Sequence, residues 1–240
     1  MREQERSLRS VPKTVFGLLI ISLCCQIVWH QQLPPPSLEI QALASPPPAT
    51  LLRLSSLGDS IVTAKILMLW IQAFDNQKGQ FLTYSQLDYL ALQQWLAEIL
   101  SLDPGGQYPL LAASHLYSAV PDPVKQQQML EFVYQQFFVD PARRWPWLTH
   151  AVIVAKHRLR NLPLALKYAQ ALATHTNPQM PRWAQEMQIF ILEEMGEWQH
   201  AQVVIDEMLT SGQMIDPEDI EFLTQERNRL RNGSIEKNLK

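Results

Sequence analysis

The sequence predicts an all-α chain: one N-terminal transmembrane helix, then an open stack of about four helical hairpins closed by a C-terminal capping helix. Three observations lead there. A proline preceded by Asp or Asn recurs at Asp103-Pro104, Asp140-Pro141, Asn177-Pro178 and Asp216-Pro217, with gaps of 37, 37 and 39 residues. A period of that size marks stacked helix pairs, each able to hide its apolar side only against its neighbours. Glycine is scarce (8) and proline plentiful (17) in 240 residues, a balance that disfavours sheet-rich folds with their glycine turns. Near the start, residues 14–29 carry no charge and are mostly apolar.

Residues 1–13 hold Arg2, Arg6, Arg9 and Lys13, and no further Lys or Arg occurs before Arg53. The excess of cations ahead of the apolar run places 1–13 in the cytoplasm and the rest on the extracytoplasmic (periplasmic) side, with 14–30 a transmembrane signal-anchor. Sixteen uncharged residues as a helix span about 24 Å, short of a hydrocarbon core of about 30 Å, so flanking Arg9, Lys13 and Trp29 must help. A cleaved secretory signal and a buried core helix are the alternatives. The small-x-small site Ala42-Leu43-Ala44 lies far past the run, and Pro12 and the later proline clusters cut the segment off from any domain.

Residues 31–50 contain Pro34-Pro35-Pro36 and Pro46-Pro47-Pro48. Such a stretch favours extended polyproline II and reads as a semi-rigid linker. The domain itself is assigned to 51–231, with helices near 57–75, 86–101, 108–119, 123–138, 146–160, 163–174, 181–195, 198–210 and 217–231. The boundaries come from punctuation. Ser85 with Asp88 suggests a cap; Asp122-Pro123 and Asp216-Pro217 read as N-cap and first helical residue; Pro146, Pro163 and Pro181 suit first turns; Gly196, Gly212 and Gly233 suit helix ends. The apolar stretch Ile61–Phe74 is interrupted by Lys65 and is too short for a second span, so it is assigned to the core. Residues 232–240 read as a disordered tail.

Gly196-Glu197-Trp198, followed by Ala201, Ile205 and Met208-Leu209, resembles divergent tetratricopeptide-repeat proteins of the bacterial membrane-anchored type with one N-terminal span. Asn161, Ala165, Tyr168 and Ala169 approximate the same pattern one unit earlier. The resemblance covers residues 85–231, with a period longer than the family's 34 and a poor match over 108–138. It implies a TPR-like α-solenoid and a scaffold that binds a protein partner, in envelope assembly or secretion. An accessory module of an envelope polymer-modifying or processing enzyme complex is the alternative.

No Gly-rich phosphate loop, paired-His helix motif with Glu, or Gly-x-Ser-x-Gly elbow occurs, so no catalytic residue, cofactor or metal is expected. His150 and His157 lie on one face of one helix, but with no third ligand nearby they make a poor metal site. Cys24 and Cys25 are the only cysteines, which excludes a disulfide framework downstream.

Charge is segregated. Residues 141–185 hold seven basic residues and no acidic one, while 183–226 hold eleven acidic residues and no basic one. Adjacent hairpins could neutralise each other across their contact. They could instead form the two walls of a bipolar groove for a protein partner: Trp147, His150, Val154, His157 and Arg158 on one, Trp183, Glu186, Phe190, Glu193 and Glu194 on the other. A nucleic-acid patch is disfavoured, because the acidic block repels phosphate. Head-to-tail self-association of basic and acidic hairpins is a further possibility.

Overall fold

The computed structural model describes residues 12–32, 42–74, 76–77, 80–81, 83–175, 177–211 and 216–238. The cationic residues Arg2, Arg6 and Arg9, the triplet Pro34-Pro35-Pro36, Gly212 and residues 239–240 lie outside them.

Among the described residues the chain is almost wholly helical, and it divides into two units. The first comprises α1 (Lys13–Gln32) and a minimal antiparallel pair, β1 (Asn76–Gln77) with β2 (Gln80–Phe81). α1 buries none of its residues and is long and apolar enough to cross a membrane. Its 20 residues correspond to about 30 Å, the full hydrocarbon thickness, so the helix exceeds the expected 14–30 at both ends.

The second unit carries α2 (Ala49–Ser55), α3 (Ser60–Ala73), α4 (Tyr89–Leu102), α5 (Tyr108–Leu111), α6 (Pro123–Phe137), α7 (Pro141–His157), α8 (Leu162–Thr174), α9 (Arg182–Met195), α10 (Trp198–Thr210) and α11 (Pro217–Asn238). Carboxylate and amide caps set the starts. Asp59, Asp88, Asp122, Asp140 and Asn161 each accept a hydrogen bond from a backbone N–H in the first turn of α3, α4, α6, α7 and α8. The cap of α4 is therefore Asp88 rather than Ser85. Gly196 ends α9 at φ +78°, a left-handed position that glycine occupies without steric cost.

Four boundaries differ from expectation. A separate helix, α2, precedes α3, because Leu57 (φ +50°) and Gly58 (φ +95°) break the chain between them. Pro146 lies inside α7: Asp140-Pro141 starts that helix five residues earlier. The expected 108–119 helix is regular only over α5; it widens to a π turn over Ala112–Leu116 and tightens to a 3₁₀ turn over Tyr117–Ala119. α11 runs past 231 to Asn238, so the backbone through the first part of the expected tail is helical.

The far end of the proline-rich linker is also not free. Leu43 is buried, and the Ala44 carbonyl accepts a hydrogen bond from Trp95 Nε1 at 2.7 Å.

Packing follows chain order. α7 sits against α6 and α8, α9 against α8 and α10, and α11 against α10. One apolar cluster runs from Leu43 to Ile191 through fully buried Leu96, Leu130, Leu148 and Leu172. A second, smaller one holds Ile189, Leu192, Ala201, Ile205, Leu223 and Leu230. Ala165 of α8 and Ala201 of α10 are wholly buried.

Candidate binding face

Contacts between helices of the same parity recur at the spacing of the sequence period. Gln72 Nε2 donates to Tyr108 Oη across α3 and α5 at 2.5 Å. His115 stacks on His150, in the π turn and α7 respectively, with ring centroids 3.5 Å apart. Trp145 meets Trp183 edge-on, from α7 to α9, at 6.0 Å. Arg182 pairs with Asp219, from α9 to α11, at 2.9 Å. In the even row, Gln93 donates to the Gln128 carbonyl (2.6 Å) and Lys167 pairs with Glu131 (2.9 Å). The separations along the chain are all between 35 and 38 residues. Translation by one period thus carries α3, α4, α6, α7 and α9 onto an element that each touches.

The odd row, α3, α5, α7 and α9, collects the groups suited to recognition. Between α3, α4 and α5 lies an open groove of about 510 Å³, lined by Ala64, Met68, Leu69, Ile99, Tyr108 and Pro109, with Lys65, Asp103 and Gln107 at its edge. Gly106 also lines it; a Cβ there would come within 2.9 Å of Asp103 Oδ2, so a side chain at this position would require Asp103 to shift. Gln107 leads on to the next unit, its Oε1 accepting from Trp147 Nε1 at 2.6 Å. Trp147 in turn stands edge-on to His115.

Both stacked imidazoles are biased toward the neutral form. Burial, and then the His115 charge, lowers His150 from 6.5 to about 4, and burial lowers His115 as well. His115 Nδ1 contacts Ser114 Oγ at 2.8 Å, while His150 Nδ1 is buried without a hydrogen-bond partner among the described residues. Parallel rings keep their nitrogen lone pairs in separate planes, so the stack cannot converge on one metal ion. Among the described residues no group of three or more His, Cys, Asp or Glu is arranged to hold one.

The ten residues expected to line a bipolar groove do not form two free walls. Val154 and Glu186 are in the interior. Trp147 and His150 are half-buried in the network above. Glu194 pairs with Lys156 at 2.5 Å, and Glu193 with Arg229 at 2.6 Å. The pairs Lys156–Glu194 and Arg182–Asp219 join the basic block to the acidic one, so neighbouring hairpins neutralise part of each other's charge. His157, Arg158, Trp183 and Phe190 remain exposed. Trp183 and Phe190 are seven residues apart on α9, hence on one face, and Phe190 lies near Phe222 of α11.

Glu186 is the misfit. Its carboxylate Oε1 is buried without a partner, and burial, then the Asp219 charge, raises its pKa while Arg182 pulls the other way.

Sequence reasoning missed Gln107, Tyr108, His115, Trp145 and Phe222. The period itself could have found some of them: His115 and His150, or Trp145 and Trp183, are like residues about one repeat apart.

No family model, curated protein or solved structure matches this chain.

Proposed function

We propose that this chain is a membrane-anchored helical-repeat scaffold, TPR-like in architecture, that binds a protein partner along its odd-numbered helices, in envelope assembly or secretion. The carrying observation is the run of same-parity contacts at one-period spacing, from Gln72–Tyr108 to Arg182–Asp219. Such units expose an extended face of repeated helices, which suits an extended or helical segment of another protein better than a small substrate. The apolar groove at α3–α5 and the exposed aromatics Trp183 and Phe190 supply anchor points on that face; aromatic anchors dominate binding energy in protein interfaces. Exposed Arg158 gives it a cationic edge. α1 holds the chain at the membrane, and the cations ahead of α1 orient the repeats to the extracytoplasmic side.

A photo-reactive residue placed at Tyr108, Trp183 or Phe190 in native membranes should yield one discrete adduct. The same residue at Leu90 or Val203, exposed on the even helices α4 and α10, should yield none. Arg158→Glu should weaken that adduct while leaving the melting temperature unchanged. Equal crosslinking from both rows would refute a one-faced scaffold. A reporter fused to the C-terminus tests the sidedness.

A further inference from the structure

α2 and α3 turn an unusual face outward. Ala64, Met68 and Ile71 fall on one side of α3 and are buried; Val62, Ile66, Leu69 and Trp70 fall on the other and are 42–65% exposed. α2 adds Leu54, 74% exposed, and the turn adds Leu57, 96% exposed. Leu57 sits at φ +50°, a region bulky residues avoid, and its side chain stands in open solvent.

The charges on this face are of one sign. Arg53 and Lys65 are exposed upon it. The single carboxylate between residues 42 and 74, Asp59, is used as the cap of α3, accepting from Val62 N at 3.0 Å. Aliphatic groups, a tryptophan at the margin and cations able to reach outward are what an element lying in a lipid headgroup layer requires. The helices meet at 109°, so they cannot thread a bilayer as one rod, while two axes meeting at a corner share a plane.

We propose that the α2–α3 elbow lies in the headgroup layer of a phospholipid bilayer, a second membrane contact besides α1. This rests on α1 holding the chain at a membrane. Residues 33–48, which join α1 to α2, can reach no farther than about 55 Å when fully extended. Among the described residues the elbow is the first helical segment after the span, and the tether keeps it within that reach of the bilayer, which raises its effective concentration at the lipid. A polyproline stalk would hold the repeats away from the bilayer; an elbow seated in it brings the α3–α5 groove, whose lining includes Lys65 and Leu69 of this face, to the membrane surface.

The test uses the full chain with Cys24→Ser and Cys25→Ser, reconstituted in phosphatidylcholine–phosphatidylglycerol vesicles. Nitroxide labels are attached one at a time through Leu57→Cys, Ile66→Cys or Leu69→Cys, with Val203→Cys as the solvent reference and Ile20→Cys as the span reference. Oxygen accessibility relative to a water-soluble nickel complex should be severalfold higher at the three elbow sites than at Val203, with Ile20 deeper still. Elbow labels that match Val203 while Ile20 reports lipid would overturn the elbow contact and leave the anchor standing. If Ile20 reports water and the elbow reports lipid, the anchor falls and the elbow contact survives. Dipolar broadening between elbow labels on separate chains, with water-like accessibility, would assign the face to a second copy and equally overturn the lipid contact.

Discussion

The first and last helices of the larger unit differ in what they turn outward. α2 and α3 present leucines, Ile66 and Trp70 outward with only two cations among them. α9–α11 present carboxylates and arginines in cross-helix pairs: Glu193–Arg229, Asp206–Arg227 and Asp219–Arg182. A terminal unit in any helical stack has one side with no neighbour, and a polar cap is the usual way to make that side compatible with water. α11 does this. α2–α3 carries no such pairs and turns aliphatic side chains outward instead.

The interiors differ as well. The main cluster is continuous over most of the unit, whereas the C-terminal cluster is small and edged by surface ion pairs. Leu172→Ala, at a fully buried site in the main cluster, should cost about 2–5 kcal/mol and lower the whole thermal transition. Ile205→Ala in the smaller cluster should instead raise amide exchange mainly in α10 and α11. Uniform acceleration through α6–α8 in the Ile205 variant would mean that the two ends are one cooperative body.

The odd row carries two buried titrating groups of opposite tendency, and pH separates them. His150 has its pKa lowered on folding, from 6.5 to about 4, so the unfolded chain binds more protons in that window. Its contribution to stability is complete above 6.5 and is lost as pH falls toward about 4. His150→Phe should therefore flatten the acid side of the stability profile between those values. Glu186 has its pKa raised, so its contribution is complete below its ordinary 4.5 and is lost as pH rises past that. Glu186→Gln, which removes a buried carboxylate whose Oε1 has no hydrogen-bond partner among the described residues, should raise stability at neutral pH by about 1 kcal/mol and bring no gain in acid. Chemical denaturation at several pH values measures both. A Glu186→Gln variant less stable at pH 7 would show that the attraction of Arg182 outweighs the cost of burying the carboxylate.

Much of the helical layout was legible because this chain punctuates itself. Asp or Asn followed by proline falls at the junction before α5, α7, α9 and α11, and short carboxylate caps leave an unambiguous mark on the first turn. Pro146 misled because proline usually marks a first turn, where its missing N–H leaves nothing unpaired, whereas here Asp140-Pro141 had already started the helix. The break at Leu57 was hidden, since only Gly58 signals it and leucine carries no turn signature. The binding face was less legible. Opposite charges at one-repeat spacing, Lys156 with Glu194 or Arg182 with Asp219, suit an internal pair as well as the two walls of a groove, and only the distance between them separates the two. The neutral groups that line the α3–α5 groove and lead to the histidine stack carry no charge pattern to betray them.

The smallest effect probes the charged end itself. Arg229 bridges Glu193 of α9 and Glu226 of its own helix, and these two carboxylates hold its guanidinium above its usual range. The side chain is more than half exposed, so water and salt screen what the close geometry gains. Arg229→Ala should cost no more than about 1 kcal/mol, and that loss should shrink as ionic strength rises. The apolar end should respond in the opposite sense: added salt leaves burial of Leu57 or Leu69 in lipid intact, because apolar burial is not screened. A salt titration of α11 amide protection beside elbow lipid contact in one reconstituted sample would show the contrast directly. Equal salt sensitivity at both ends would mean that charge, not apolar surface, governs how the elbow is covered.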